Sequence, residues 1–136
     1  MPSLALAKPA IDLGLVTQDA QVMLAFYRDI LGLPFEATLT MPGGTIMHRL
    51  SCGQTVIKLL QHQKTPESTP APGGINGATG IRYFTISVTN LAEMLTHCAA
   101  AGVPIPVGQT EIRPGVQIAM LEDPEGNWVE LLETSN

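Results

Sequence analysis

The stretch Met120–Glu133, MLEDPEGNWVELLE, decides how the rest of the chain is read. It has the pattern of strand, tight turn, strand. Ile118 and Met120 lead in at alternate positions, and Val129 and Leu131 lead out the same way, the period of strands with one buried face. Between them, Asp123-Pro124-Glu125-Gly126-Asn127 carries turn chemistry. Proline presets φ, glycine supplies a positive φ, and Asp and Asn side chains bond nearby backbone. With Val129 and Leu131 on one face, Glu130 falls on the other beside Trp128 and Leu132. A carboxylate between a Trp and a Leu is costly to bury unless something pairs with it.

Working outward, the 136 residues suffice for one domain or two small modules with a useful core. With 45% hydrophobic and 14% charged residues the composition is that of a folded chain. A net charge of −5 and the lack of any basic run argue against nucleic acid as a partner. No apolar stretch approaches the length of a membrane span. The N-terminus, MPSLALAKPA, lacks the basic and long apolar regions of a signal peptide. Cys52 and Cys98 fit no metal-ligand spacing and are expected to be reduced packing residues of a cytoplasmic protein.

Taken in order, Ile11–Val16 alternates and reads as a strand. A helix is expected over 19–31, capped by Asp19 or Thr17, with Met23, Tyr27, Ile30 and Leu31 as its apolar stripe and Gly32 as its stop. Strands Phe35–Thr40, Thr45–Ser51 and Thr55–Gln61 follow. The stretch 62–80 is rich in Pro, Gly, Ser and Thr without periodicity and reads as a linker or mobile loop. Beyond it the order repeats. Arg82–Val88 is a strand, Asn90 is placed to cap a helix over Leu91–Ala101, and strands near 106–113, 115–121 and 127–133 complete the set. The organisation is therefore an α+β chain of two β-α-β-β-β modules, about 10–61 and 81–133.

This layout resembles the vicinal oxygen chelate superfamily, which includes glyoxalase I, bleomycin resistance proteins and extradiol dioxygenases. The specific parts are the helix end Ala25-Phe26-Tyr27-Arg28-Asp29-Ile30-Leu31-Gly32-Leu33 and the turn and strand Asp123–Glu130. The fold implied is a pair of β-α-β-β-β modules whose curved mixed sheets enclose a cleft, within one chain or across a homodimer. Members that use a metal place ligands on the first and fourth strands of each module. Carried over residue by residue, those places fall on Asp12 and Lys58 in the first module and on Tyr83 and Glu130 in the second. Only Glu130 keeps the family's residue type in full, an ammonium is no ligand while protonated, and a neutral Tyr is a weak one. No catalytic metal and no other cofactor are therefore expected, with Asp12 and Glu130 the place for any weakly held cation.

What the resemblance implies about function divides three ways. The first is a glyoxalase- or bleomycin-resistance-like protein that binds a small organic molecule without turning it over. The second is a metal-independent lyase, isomerase or epimerase moving a proton beside a carbonyl. There Lys58 stabilises an oxyanion, Glu130 or Asp12 transfers the proton, and Tyr83 donates a hydrogen bond. The third is metal-dependent glyoxalase-like or dioxygenase chemistry. Trp128, Arg49, Thr85, Met47 and Leu60 are the expected ligand-binding residues, Trp128 by stacking on a planar ligand and Arg49 by pairing with an anionic group. His48 and Arg49 alternate, so only one of them can share the Lys58 face. Lys58 is the expected partner of Glu130.

Overall fold

The computed structural model describes residues 1–135, which form two compact units, Met1–Pro66 and a second that begins at Glu67. The first contains β1 (Leu13–Val16), α1 (Ala20–Leu24, continued by a π-helical turn over Ala25–Ile30), β2 (Phe35–Thr40), β3 (Ile46–Cys52) and β4 (Thr55–Gln61). The second contains β5 (Tyr83–Ser87), α2 (Leu91–Ala100), β6 (Val107–Arg113), β7 (Val116–Glu122) and β8 (Trp128–Thr134). Each makes one four-stranded mixed sheet, ordered β1-β4-β3-β2 and β5-β8-β7-β6. In each, the first and fourth strands run parallel and the remaining pairs antiparallel. The β-α-β-β-β order read from the sequence is thus the architecture of both units.

The first unit buries the helix side of its sheet. Leu50, Ile57 and Leu59 lie on one face by register and are buried, as are Met23, Leu24, Phe26 and Tyr27 of the helix. The helix differs from a plain α-helix. At Ala25–Ile30 it widens to π geometry, and Leu31 N–H reaches back five residues to the Phe26 carbonyl at 2.9 Å. Phe26 and Tyr27 are both buried there, edge to face with centroids 4.7 Å apart. An i, i+4, i+7 stripe does not anticipate two adjacent buried aromatics, and a π turn is a known way to turn neighbouring side chains inward.

The second unit is built by the same rules. Ala119 and Leu121 pair with Leu131 and Val129, and all four are buried on one face, with Leu91 and Cys98 of α2 buried as well. The turn between β7 and β8 forms as its residues dictate. Asp123, only 4% exposed, accepts through Oδ1 from the backbone N–H groups of Glu125 and Asn127, both at 2.9 Å. Its Oδ2 accepts from the Asn127 side-chain amide at 2.9 Å, and Gly126 sits at φ 93°.

Helix starts show how alike the two units are. Thr17 N–H donates to the Leu60 carbonyl and Val88 N–H to the Leu132 carbonyl, at 2.9 and 2.8 Å. One residue further along each fourth strand, Gln61 Oε1 accepts from Ala20 N–H and Glu133 Oε1 from Leu91 N–H, both at 2.8 Å. Asp19 adds the expected cap, accepting from Gln21 N–H. Asn90 does not act as expected. Its side chain makes no capping bond, and the helix's first N–H is taken by Glu133 on the adjacent strand.

Two further expectations change. The first strand begins at Leu13, so Asp12 lies just before it. The stretch 62–80 is more than a structureless linker: Gly74–Asn76 forms a 3-10 turn with Gly74 buried. The Arg82 guanidinium holds that turn by donating to the carbonyls of Gly74, Ala71 and Pro72, at 2.8, 2.8 and 3.3 Å.

Candidate functional site

Residues opposite one another in a ladder share a face, and the registers sort the expected site residues. In the first unit Lys58 pairs with Gly14 on one side and Arg49 on the other, and Met47 pairs with Leu60. Lys58, Arg49, Met47 and Leu60 therefore occupy one face, turned away from Ile57, Leu59 and the helix. His48 pairs with Leu59 and lies on the helix side. Its Nδ1 is 2.8 Å from Thr38 Oγ1. Burial, and then the charge of Arg28 on the helix, hold its pKa below the usual 6.5. Arg49, not His48, shares the Lys58 face.

Electrostatics on that face are unequal. Arg49 Nε donates to Glu36 Oε1 at 2.8 Å, and Ser51 Oγ approaches the other oxygen of Glu36 at 3.4 Å. Asp12 is already engaged. Its Oδ1 accepts from Lys8 Nζ at 2.6 Å and from Val56 N–H at 2.8 Å. Lys8, and then that N–H, hold the Asp12 carboxyl below its ordinary 3.8. Lys8 was not anticipated; its i, i+4 spacing to Asp12 was the available signal, in a stretch that looks irregular. Lys58 is half-buried and makes no ion pair or hydrogen bond among the described residues.

In the second unit Glu130 pairs with Met120 across β7 and with Thr85 along β5. The Thr85 hydroxyl donates to Glu130 Oε1 at 2.7 Å. Thr85, expected as a ligand-binding residue, is thus the partner that this unit itself provides for Glu130. Tyr83 is two residues away in register, opposite Trp128, and 43% exposed. Trp128 is half-buried. Its Nε1 donates to Glu122 Oε1 at 3.4 Å, and its benzene ring lies so close to Gly74 that a Cβ there would collide with Cζ2, Cη2 and Cε2. The loop pinned by Arg82 thus rests on the tryptophan expected to stack on a ligand.

The four positions that the resemblance assigns to metal ligands do not suit a divalent cation. Asp12 is neutralised by Lys8, Lys58 is itself a cation, Tyr83 is a weak ligand, and only Glu130 remains as a donor of the right kind. Among the described residues no group of three or more His, Cys, Asp or Glu is arranged to hold a metal. Burial pushes the Cys52 and Cys98 thiols up, which keeps them protonated and poorly nucleophilic.

With this geometry in view, known proteins give a consistent picture. The family model of the Glyoxalase/Bleomycin resistance protein/Dioxygenase superfamily matches residues 10–131, nearly the whole chain. The chain belongs to that superfamily. A glyoxalase family protein from Bacillus cereus superposes with a TM-score of 0.81 at 16% identity, covering 98% of this chain and all of that one. Lactoylglutathione lyase from Agrobacterium tumefaciens is 27% identical, with a TM-score of 0.65 over 93% of this chain and 96% of its own. The trypanothione-dependent glyoxalase I of Leishmania major is 20% identical, with a TM-score of 0.69 over 93% and 87%. A comparison with curated proteins gave no match. No helix among the described residues is long and apolar enough to cross a membrane.

Proposed function

We propose that this superfamily member binds a small organic molecule on the sheet face of the first unit that carries Lys58, and does so without a catalytic metal. The observation that carries the reading is Lys58. Lys58 is half-buried on a face shared with Met47 and Leu60 and makes no hydrogen bond or close ion pair among the described residues, which leaves its ammonium available to a ligand. Apolar Met47 and Leu60 beside the charged Arg49 and Lys58 give that face the mixed make-up of a small-molecule site. Binding fits better than proton transfer. The acid–base set proposed from sequence is divided: Asp12 is tied to Lys8, and Tyr83 lies opposite Trp128 rather than Glu130. The protein acts as a cytoplasmic homodimer with no nucleic-acid or membrane partner.

Isothermal titration calorimetry follows binding to either unit without an optical reporter. The chelator-stripped chain is titrated with a panel of planar aromatic compounds while their turnover is followed. Saturable binding of at least one of them, without turnover and weakened about tenfold by Lys58→Met, is the expected result. Turnover that survives chelation and disappears in Lys58→Met replaces this reading with metal-free proton transfer. Binding restored only by an added divalent cation contradicts it outright.

A further inference from the structure

We propose that Lys58 and Arg49 together form a subsite for the carboxylate of that small molecule. This rests on the reading of their face as a ligand-binding face and adds the ligand's charge.

The inference begins with the register of β3 and β4. Arg49 and Lys58 are direct partners in the antiparallel ladder, so their Cβ atoms lie about 5 Å apart on the same face. Like charges placed opposite one another in a ladder destabilise the pair. The chain has only seven Lys and Arg residues in all and a net charge of −5, so crowding is no reason for two cations to meet there. The acidic groups nearby do not balance them. Glu36 engages Arg49 through Nε alone, and the two Nη groups of Arg49 have no hydrogen-bond partner among the described residues. Asp12 is taken by Lys8 and Val56 N–H. Asp12 also feels the charge of Lys58, so with Lys8 included three cations, Lys8, Arg49 and Lys58, stand against two carboxylates, Asp12 and Glu36, and a single positive charge is left unmatched.

A monoanion restores the balance. A carboxylate offers two acceptor oxygens, suited to the free edge of a guanidinium fork on one side and an ammonium on the other. Met47, Leu60 and Val16 share this face, since Met47 and Val16 both pair with Leu60, so the anion would carry an apolar body. Partial burial of Lys58 and Arg49 strengthens the attraction relative to open water. The chemical class is an organic monocarboxylate with an apolar tail or ring.

The test uses a matched pair of probes, phenylacetate and its neutral counterpart phenylacetamide, titrated into the full-length chain and followed through backbone amide resonances. Phenylacetate should shift the amides of Gly14, Arg49 and Lys58 saturably and bind about tenfold tighter than the amide. Lys58→Met should remove that preference, and Lys58→Arg, which keeps the charge, should retain most of it. The unliganded amide spectra of both variants show that they remain folded. Equal affinity for the two probes on this face overturns the carboxylate subsite and leaves the binding reading intact. Shifts confined to other surfaces overturn both. No saturable shift with either probe overturns the subsite.

Discussion

At the scale of single residues, the partner of each ionisable group decides its role. Glu130 entered as an inward-facing carboxylate needing a partner, and its own unit supplies the Thr85 hydroxyl. Asp12 is withdrawn from chemistry by a lysine four residues earlier. His48 gives a prediction with a definite sign. Its pKa is lowered in the folded chain, so below its ordinary 6.5 the unfolded chain takes up a proton that the folded chain resists. Its contribution is present in full above that value and is lost as pH falls through the folded pKa. His48→Gln should flatten this part of the stability curve, measured by urea denaturation at several pH values between neutrality and mild acid. An unchanged slope there contradicts the assignment of His48 to the buried helix side. Which of His48 and Arg49 joins the Lys58 face follows from alternation once the register is known. The Glu36–Arg49 pair was not legible, because it rests on a register irregularity between Phe35 and Ala37.

At the scale of elements, strands and turns were the most legible parts. Alternation marks β1, β5 and much of β8, and Asp123–Asn127 folds as its turn residues require. Helix starts were less so, because the groups that satisfy them come from distant strands. Asn90 has the residue type and place of an N-cap, yet it is Glu133, forty-three residues later, that accepts from the helix start. Glu133→Leu should therefore destabilise the chain by about 1 kcal/mol in equilibrium unfolding. Glu133→Gln should cost less, since Gln61 performs the same task in the first unit. Asn90→Ala should stay within about 0.5 kcal/mol. The reverse ranking would show that the conventional cap is the effective one. The loop over 62–80 escaped the sequence reading for a similar reason: its order comes from Arg82 and the indole of Trp128, both outside the segment.

At the scale of the whole molecule, the chain is one β-α-β-β-β plan written twice with different side chains at matching positions. The fourth-strand residue is Lys58 in the first unit and Glu130 in the second, and the neighbouring first-strand residue is Gly14 in one and Thr85 in the other. The repeat was legible because its apolar periodicity and its glycine and proline stops are local. The assignment of Lys58 and Tyr83 to places where metal-using members hold donors rests on the resemblance alone, and the carboxylates near Lys58 were not legible in the sequence. A crystal structure of the purified chain, soaked with the tightest-binding compound and paired with elemental analysis, tests the central claim most directly. The account predicts no stoichiometric metal and ligand density in contact with Lys58. A stoichiometric divalent cation bound at Asp12 or at Glu130, or ligand density away from the Lys58 face, would contradict it.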